Sequence, residues 1–440
     1  MDTIFALSTA PGKSGVAIVR VSGSHALGTL RALGVSSLPA PRIATLVELK
    51  VKGALLDKAL ALHFPAPHSF TGEDVLEYHI HGSRAVIKAL LETLSTLPSL
   101  RPAEPGEFTR RAFLHEKMDL TAAEGLADLI DAETDAQRKQ ALRFMRGDAE
   151  MFYQALRQEV LEALALMEAY IDFPDEDIPE WVLSNAENNV RTLIARIEAE
   201  LAGSGAAERV RDGVQVAILG APNAGKSSLM NLLAKRDVAI VSETAGTTRD
   251  VIEVHMDIDG YAVVIADTAG LREAEGDIER EGIRRSLKRA EDADIRIVVL
   301  DAQAPNHEHI ASFIDGNTIV LLNKTDLALP RTPLPVIEGI TPIPFSTKTR
   351  AGIEVLMNAL GSHVARLSSA QSSFIARERH RHHLQQALTH LKNRLAMPHA
   401  GLELQCEELR RAAVEIGDIT GTVSVDEVLG QIFSRFCIGK

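Results

Sequence analysis

Cysteine is scarce in this sequence, long apolar runs are absent, and positive charges are outnumbered by negative ones. Only Cys406 and Cys437 stand among its 440 residues, which excludes a disulfide framework and favours a reducing cytosol. No apolar run reaches the roughly 18 residues that a membrane-spanning helix needs. The opening stretch MDTIFALSTAPGKSG lacks the basic and then apolar pattern of a secretory signal. We therefore expect a cytoplasmic protein without a membrane segment.

The charge balance is acidic. There are 47 Lys and Arg residues against 60 Asp and Glu residues, giving a formal net charge of −13. This balance argues against unaided, non-specific binding of nucleic acid. Binding of a structured RNA through a local patch stays open, because RPAEPGEFTRRAF (101–113) and IARERHRHH (375–383) are basic clusters.

Length and residue patterns predict several domains. Residues 1–117 mix short β-like runs with one helical stretch, which predicts a small α+β domain. Residues 118–212 are predicted to be helical, with a last helix that ends near Gly203. Strands alternate with helices over 213–365, which indicates a parallel sheet covered on both faces. Residues 366–440 are helical again, so we expect a doubly wound α/β domain inserted into a helical domain.

The stretch GAPNAGKS, residues 220–227, predicts a phosphate-binding loop (P-loop). It follows the apolar run VQVAIL and opens a helix, which is the context that such a loop needs. Glycines let backbone N–H groups face phosphates, and the helix N-terminus adds partial positive charge. We expect Lys226 to reach the β- and γ-phosphates and the Ser227 hydroxyl to bind Mg²⁺.

Further stretches follow in the order expected of a GTPase. AGTTRD supplies Thr248 as a second Mg²⁺ ligand, and DTAG supplies Asp267 for a metal-bound water and Gly270 for the γ-phosphate. NKTD supplies Asp326, which can accept from two adjacent N–H groups of guanine, whereas adenine presents no such pair. STK, residues 346–348, fits a loop that closes over the base.

The residues of these motifs assigned to the GTP site are Asn223, Ala224, Gly225, Lys226, Ser227, Ser228, Ala245, Gly246, Thr247, Thr248, Asp267, Thr268, Ala269, Gly270, Asn323, Lys324, Asp326, Ser346, Thr347 and Lys348; Ser242, Glu243 and Thr244 are added to this site by the family resemblance described below.

Leu271 raises a question about hydrolysis. It follows DTAG, where many such enzymes carry a glutamine that orients the attacking water, and leucine cannot do so. One reading is that GTP is bound and hydrolysed slowly or not at all, as in a GTP-dependent scaffold. The other is that an acidic residue of LREAEGDIE replaces the glutamine, and spacing alone does not choose among the candidates Glu273, Glu275, Asp277 and Glu279.

The motifs together resemble the MnmE (TrmE) family of tRNA modification GTPases. GAPNAGKSS, AGTTRD, DTAGLRE, NKTD and the terminal FCIGK carry the likeness. FTGEDVLE, PGEFTRRAFL, DLIDAET and YIDFPDE extend it over the whole chain. Single motifs such as AGTTRD also occur in ribosome-assembly GTPases of the Era and Der type. A ribosome-assembly GTPase should carry an RNA-binding domain. The acidic charge balance and the terminal FCIGK of this chain argue against that alternative.

The resemblance implies a K⁺-stimulated, Mg²⁺-dependent GTPase that works as a homodimer. In the family, GTPase domains meet across their nucleotide faces, and K⁺ takes the place of an arginine finger. The matching K⁺ positions are Asn223, Ser242, Thr244 and Thr247, although Asn223 alone could be a turn residue. The general-base-like glutamate of the family, which acts through water, corresponds to Glu279, and Lys226 of the P-loop is the second residue assigned to catalysis.

The resemblance also implies a folate site and a modification reaction. The N-terminal domain would bind 5-formyltetrahydrofolate or a related tetrahydrofolate through Arg20, Glu77, Lys117 and Lys440, and would carry the dimer contact. With the FAD-dependent protein MnmG (GidA), the family adds an aminomethyl or carboxymethylaminomethyl group to C5 of the wobble uridine of certain tRNAs. From the residues alone, Cys437 in FCIGK is a candidate catalytic thiol, although no His lies close in sequence to activate it; the alternative is a small apolar side chain beside the folate.

Overall fold

The computed structural model describes most of the chain: residues 2–172, 181–236, 238–240, 253–267, 288–327, 334–368, 373–422, 432–433, 436 and 439. The chain divides into two compact units. Unit 1 comprises Met1–Ala127, Phe144–Arg157 and Ala413–Lys440, and unit 2 comprises Asp128–Arg143 and Gln158–Ala412. Among the described helices, none has the length and apolar character needed to cross a bilayer.

Unit 1 is built on a six-stranded sheet. Its strands are β1 (Thr3–Leu7), β2 (Ser14–Ser22), β3 (Thr45–Val51), β4 (Ala54–Phe64), β5 (Val75–Gly82) and β6 (Leu100–Pro102). Their order is β3-β4-β5-β2-β1-β6, with β1 and β6 parallel and the other neighbours antiparallel. Side chains alternate between the faces, so Val19 and Tyr78 pack under helices α1 (Gly28–Ala32) and α2 (Arg84–Ser95).

The opposite face of this sheet is covered by a smaller apolar cluster. Ile4 and Ala6 of β1 pack with Phe108 of helix α3 (Glu107–Leu114) and with Phe70. A third cluster joins α3 and helix α4 (Leu120–Asp131) to Phe433 and Phe436 near the C-terminus. Phe433 and Phe436 therefore pack within unit 1.

Unit 2 contains a seven-stranded sheet. Its strands are β7 (Val214–Leu219), β8 (Ala239–Ile240), β9 (Glu253–Ile258), β10 (Tyr261–Asp267), β11 (Ile295–Asp301), β12 (Thr318–Asn323) and β13 (Ile343–Pro344). Their order is β13-β12-β11-β7-β10-β9-β8, parallel from β13 to β10. Separate apolar clusters lie on its two faces, and one of them includes α8 (Lys226–Leu233) and α9 (Ile353–Leu367). The predicted doubly wound class is confirmed.

The remaining helices flank this sheet in the sequence. They are α5 (Asp135–Met145), α6 (Asp148–Asp172), α7 (Trp181–Asp212), α10 (Glu378–Ala396) and α11 (Leu402–Thr420). Helices α7 and α10 pack together, with Lys392 Nζ 2.6 Å from Glu198 Oε1. The α/β domain is thus inserted between two helical segments. The boundaries at residues 117, 212 and 365 stay predictions.

Helix α7 is longer than predicted. The sequence suggested an end near Gly203, but the helix continues to Asp212. Each helical glycine costs about 1 kcal/mol relative to alanine. Burial of Ala206, Ala207 and Val210 beyond the glycines outweighs that cost, because tertiary packing commonly overrides local propensity.

Candidate nucleotide-binding site

The P-loop joins the end of β7 to the first turn of α8. Gly220 has φ +150°, and a Cβ there would lie 2.3 Å from the carbonyl oxygen of Val299 on β11. Gly225 has φ +108°, and a Cβ there would lie 2.1 Å from Asn323 Nδ2. Both positions therefore require glycine, for conformation and for space. Asn223, between them, is also left-handed at φ +63°, as a loop that turns its amides inward requires.

Lys226 is held against the loop that it follows. Its Nζ donates to the carbonyl oxygens of Gly220 at 2.8 Å and Ala221 at 2.9 Å, and the residue is buried. The ammonium group therefore lies over the P-loop, where a phosphate would meet it. Ser227 and Ser228 follow on the first turn of α8, and both are exposed. This helix N-terminus favours anions through its N–H groups and dipole.

Asn323 connects the P-loop to the loops predicted to hold the base. It ends β12 and is completely buried. Its Nδ2 donates to the carbonyl oxygen of Ala224 at 2.8 Å, and its Oδ1 accepts from the backbone N–H of Thr347 at 3.1 Å. One side chain thus fixes three loops that follow β7, β12 and β13. The carboxyl ends of parallel strands are where such sheets bind ligands.

Asp326 is oriented by the next loop. The buried Ser346 hydroxyl donates to Asp326 Oδ1 at 2.7 Å and accepts from the Thr349 N–H at 3.2 Å. The carboxylate is thereby fixed as an acceptor, as recognition of guanine requires. Thr347 is half-buried and Lys348 is exposed in the same loop.

The sequence analysis missed Asp301, at the end of β11. Its Oδ2 lies 2.7 Å from Lys324 Nζ, and its Oδ1 accepts from the Gln303 N–H at 3.0 Å. The hydrogen bond from Lys324 is the main reason that the pKa of Asp301 is lowered. An aspartate at the end of a parallel strand beside NKTD was the available signal.

Several predicted residues lie outside the described part of the chain. Of Asp267 only the backbone is described, and it pairs with Ile218 of β7, beside the P-loop. The others are Ser242, Glu243, Thr244, Ala245, Gly246, Thr247, Thr248, Thr268, Ala269, Gly270, Glu279, Cys437 and Lys440. Their roles stay predictions.

In unit 1, Arg20 and Glu77 lie together. They are register partners on β2 and β5, and Arg20 Nε donates to Glu77 Oε1 at 3.0 Å. The Arg20 guanidinium carbon lies 5.4 Å from the ring centroid of Phe70 and 5.6 Å from that of Phe108. Two rings and a carboxylate therefore fix the guanidinium on the face of the sheet opposite α1 and α2.

The other two residues predicted for the folate site differ from this pair. Lys117 is exposed just after α3, and its described bond is from its backbone N–H to the Ala112 carbonyl at 2.9 Å. Lys440 is not described, but its neighbour Gly439 is. The Ser8 hydroxyl donates to the Gly439 carbonyl oxygen at 3.0 Å. Ser8 follows Ala6 by two residues, and Ala6 is the register partner of Arg20 on β2.

Unit 1 also contains a network of charged side chains around Arg111. Arg111, almost fully buried, donates to Glu73 at 2.9 Å and to Glu107 at 2.9 Å, and Glu73 accepts from Ser22 on β2 at 2.7 Å. Burial raises the pKa of Glu107, but bonds from Arg101, the Glu104 N–H and Arg111 outweigh it, so the pKa is lowered overall. FTGEDVLE and PGEFTRRAFL were the sequence signals, although their pairing was not predicted.

The strand–loop–helix P-loop with its buried lysine, joined through Asn323 to the loop after β13, is the arrangement of a P-loop GTPase. The family model described as "MnmE helical domain" matches residues 120–437, and that described as "GTP-binding protein TrmE N-terminus" matches residues 3–117. The chain therefore belongs to the MnmE (TrmE) family of tRNA modification GTPases, as its motifs predicted.

Full-length relatives agree with this assignment. The chain is 50% identical to the tRNA modification GTPase MnmE of Parvibaculum lavamentivorans and 48% identical to that of Paramagnetospirillum magneticum, with 100% of each chain covered. A solved structure of Aquifex aeolicus Era bound to GDP.AlF4⁻ is 27% identical over 34% of this chain and 56% of its own, with a TM-score of 0.28. The family assignment rests on the full-length relatives and the family models.

Proposed function

We propose that this protein hydrolyses GTP to drive a conformational step in tRNA modification. The observation that carries the proposal is Asn323, which joins the P-loop to the loop that orients Asp326. A site built in this way binds phosphates at one end and a guanine at the other. The tRNA substrate is proposed from the relatives, which are named tRNA modification GTPases.

The chain's own residues supply binding and orientation for hydrolysis. The Lys226 ammonium would exchange its loop carbonyls for β- and γ-phosphate oxygens. The Asp326 carboxylate would accept from the guanine N–H edge. The Ser227 hydroxyl, on the exposed first turn of α8, suits a Mg²⁺ ion, and Thr248 is the proposed second ligand. When bound, Mg²⁺ neutralises developing phosphate charge.

We propose that Glu279 takes the role of the glutamine that is absent at Leu271, and that a K⁺ ion takes the role of an arginine finger. Asn223 supports the K⁺ proposal because it is exposed on the P-loop, so that its side-chain oxygen is accessible to an ion. Ser242, Thr244 and Thr247 are the further proposed ligands. K⁺ held there supplies positive charge near the phosphates, and Glu279 would orient the attacking water.

The first experiment measures multiple-turnover phosphate release in matched KCl and NaCl buffers. We expect K⁺ to accelerate turnover at least about tenfold, which corresponds to about 1.4 kcal/mol. Glu279→Ala should abolish the acceleration, while the control Glu291→Ala, at an exposed glutamate of the same domain, should retain it. Equal rates in the two salts would remove the K⁺ proposal but leave GTP binding intact.

We further propose that unit 1 binds a tetrahydrofolate such as 5-formyltetrahydrofolate. In the fixed Arg20–Glu77 pair, the carboxylate can accept from the pterin N–H edge of a folate, and the adjacent guanidinium can donate to the formyl oxygen at the same end. The anchored Gly439 supports a role for Lys440 and Cys437 near this pair. When bound, the folate would supply a one-carbon unit. Lys117 is proposed as a further contact.

Equilibrium dialysis with 5-formyltetrahydrofolate tests this site. Arg20→Gln should weaken binding at least about tenfold. Arg31→Gln, at an exposed arginine on α1, is the matched control and should leave binding unchanged. Unchanged binding in Arg20→Gln would refute the assignment of the folate site to this face of the sheet.

The remaining parts of the proposal concern assembly. We propose a cytoplasmic homodimer that works with the FAD-dependent protein MnmG on C5 of the wobble uridine of certain tRNAs. The test is nucleoside analysis of tRNA from cells in which this gene is deleted and restored. Loss of a C5-aminomethyl-type uridine that returns with the wild type, but not with Lys226→Ala, would support it. An unchanged nucleoside pattern in the deleted strain would refute it.

A further inference from the structure

Asp301 forms an ion pair with Lys324 beside the nucleotide site, and the function described above gives this aspartate no role. Asp301 and Asn323 are register partners at the carboxyl ends of β11 and β12. Lys324 follows Asn323 in a left-handed conformation, with φ +68°, and its Nζ lies 2.7 Å from Asp301 Oδ2. The Gln303 N–H binds the other carboxylate oxygen. The Gln303 N–H and the Lys324 ammonium group therefore hold the two carboxylate oxygens separately.

Lys324 stands between the two ends of the site. The residue before it, Asn323, contacts the P-loop, and Asp326, two residues on, is held by Ser346. Because the Lys324 ammonium group is paired with Asp301, it lies at the end of the neighbouring strand β11. Its four methylene groups remain for contact with a ligand, and 30% of the side chain is exposed. Such stems commonly cover apolar surface while the charged head binds elsewhere.

We propose that Asp301 is a positioning residue for guanine nucleotides, which holds Lys324 so that its stem forms one wall of the base site. A lysine without this anchor would lose rotamer freedom each time a nucleotide bound, and that loss weakens binding. In this proposal Asp301 contacts neither the base nor the phosphates. It acts through Lys324, and its loss changes the affinity for the nucleotide and not kcat. This inference rests on guanine-nucleotide binding at the proposed site.

Asp301→Asn removes the charge but keeps an oxygen that can accept from the Gln303 N–H. Titration with fluorescent GDP and GTP analogues should show about tenfold weaker binding of both, equivalent to about 1.4 kcal/mol. The kcat at saturating GTP should not change. Lys324→Met keeps most of the stem without its anchor and should also weaken binding. The double variant should be no weaker than Lys324→Met alone, since Asp301 acts only through the ammonium group.

The control is Glu354→Gln, which breaks the exposed Arg236–Glu354 pair elsewhere in the domain and should leave affinity within about twofold of the wild type. Three results would overturn the inference: wild-type affinity in Asp301→Asn, a lower kcat with unchanged affinity, or additive losses in the double variant. If Asp301→Asn does not fold, Lys324→Met decides alone, and wild-type affinity in it refutes the inference. Failure of the wild type to bind guanine nucleotides would instead refute the proposed function.

Discussion

Replacement of Gly225 by alanine tests the geometry of the P-loop most directly. At φ +108° the new residue would stand outside the conformations that L-residues prefer, at a cost of about 1–2 kcal/mol. Its Cβ would lie 2.1 Å from Asn323 Nδ2, far inside van der Waals contact. Because Asn323 is fully buried, it cannot move into solvent to relieve the overlap.

The displaced asparagine sets the size of the effect. Movement of its amide breaks the bond to the Ala224 carbonyl and the bond from the Thr347 N–H. Each bond contributes about 1 kcal/mol, so with the backbone strain the total cost is about 3–4 kcal/mol. If the whole cost is borne by the P-loop conformation that binds the nucleotide, the affinity for GDP and GTP falls by about two to three orders of magnitude.

The assay is titration of the purified Gly225→Ala protein with fluorescent GDP and GTP analogues, alongside thermal unfolding. Gly316→Ala is the matched control in the same unit, because its Cβ would have no neighbour within 4 Å and its φ is not positive. We expect the control to bind like the wild type. Affinity of Gly225→Ala within about threefold of the wild type would refute the packing of Asn323 against the P-loop.

Three further predictions concern the base and the buried ion network. Asp326→Asn should weaken GTP binding by about 1–3 kcal/mol and favour xanthosine triphosphate, which competition binding measures; unchanged preference would contradict the guanine assignment. Arg111→Met leaves the Glu73 and Glu107 carboxylates without their shared cation, so denaturant unfolding should show a loss of about 3–5 kcal/mol. The exposed control Lys88→Met should lose less than about 1 kcal/mol. Folding lowers the pKa of Glu107, so the ionised carboxylate stabilises the fold at pH values above 4.5, the ordinary pKa of a glutamate. This stabilisation is lost as the pH falls through the lowered pKa. Glu107→Gln should therefore make the free energy of unfolding less dependent on pH in the acid range.

Some strands were predicted from their own residues, whereas the hairpin of β9 and β10 was missed although its turn sequence was informative. The apolar runs of β7, β11 and β12 predicted parallel strands, because strands buried on both faces are continuously apolar. The hairpin of β9 and β10 was not predicted, although the turn Asp259–Gly260 is an Asp-Gly pair. Both turn residues have positive φ, and the Gly260 carbonyl accepts from the Ala136 N–H on α5 at 3.0 Å.

The sequence by itself determined the nucleotide class and the family, because GAPNAGKS and NKTD are short motifs whose chemistry depends on neighbouring residues. Only the tertiary structure decided which distant groups meet. It paired Arg20 with Glu77, Asn323 with Ala224 and Asp301 with Lys324. Each pair depends on strand order and register, which are set by the burial of whole faces and not by the residues that form the pair.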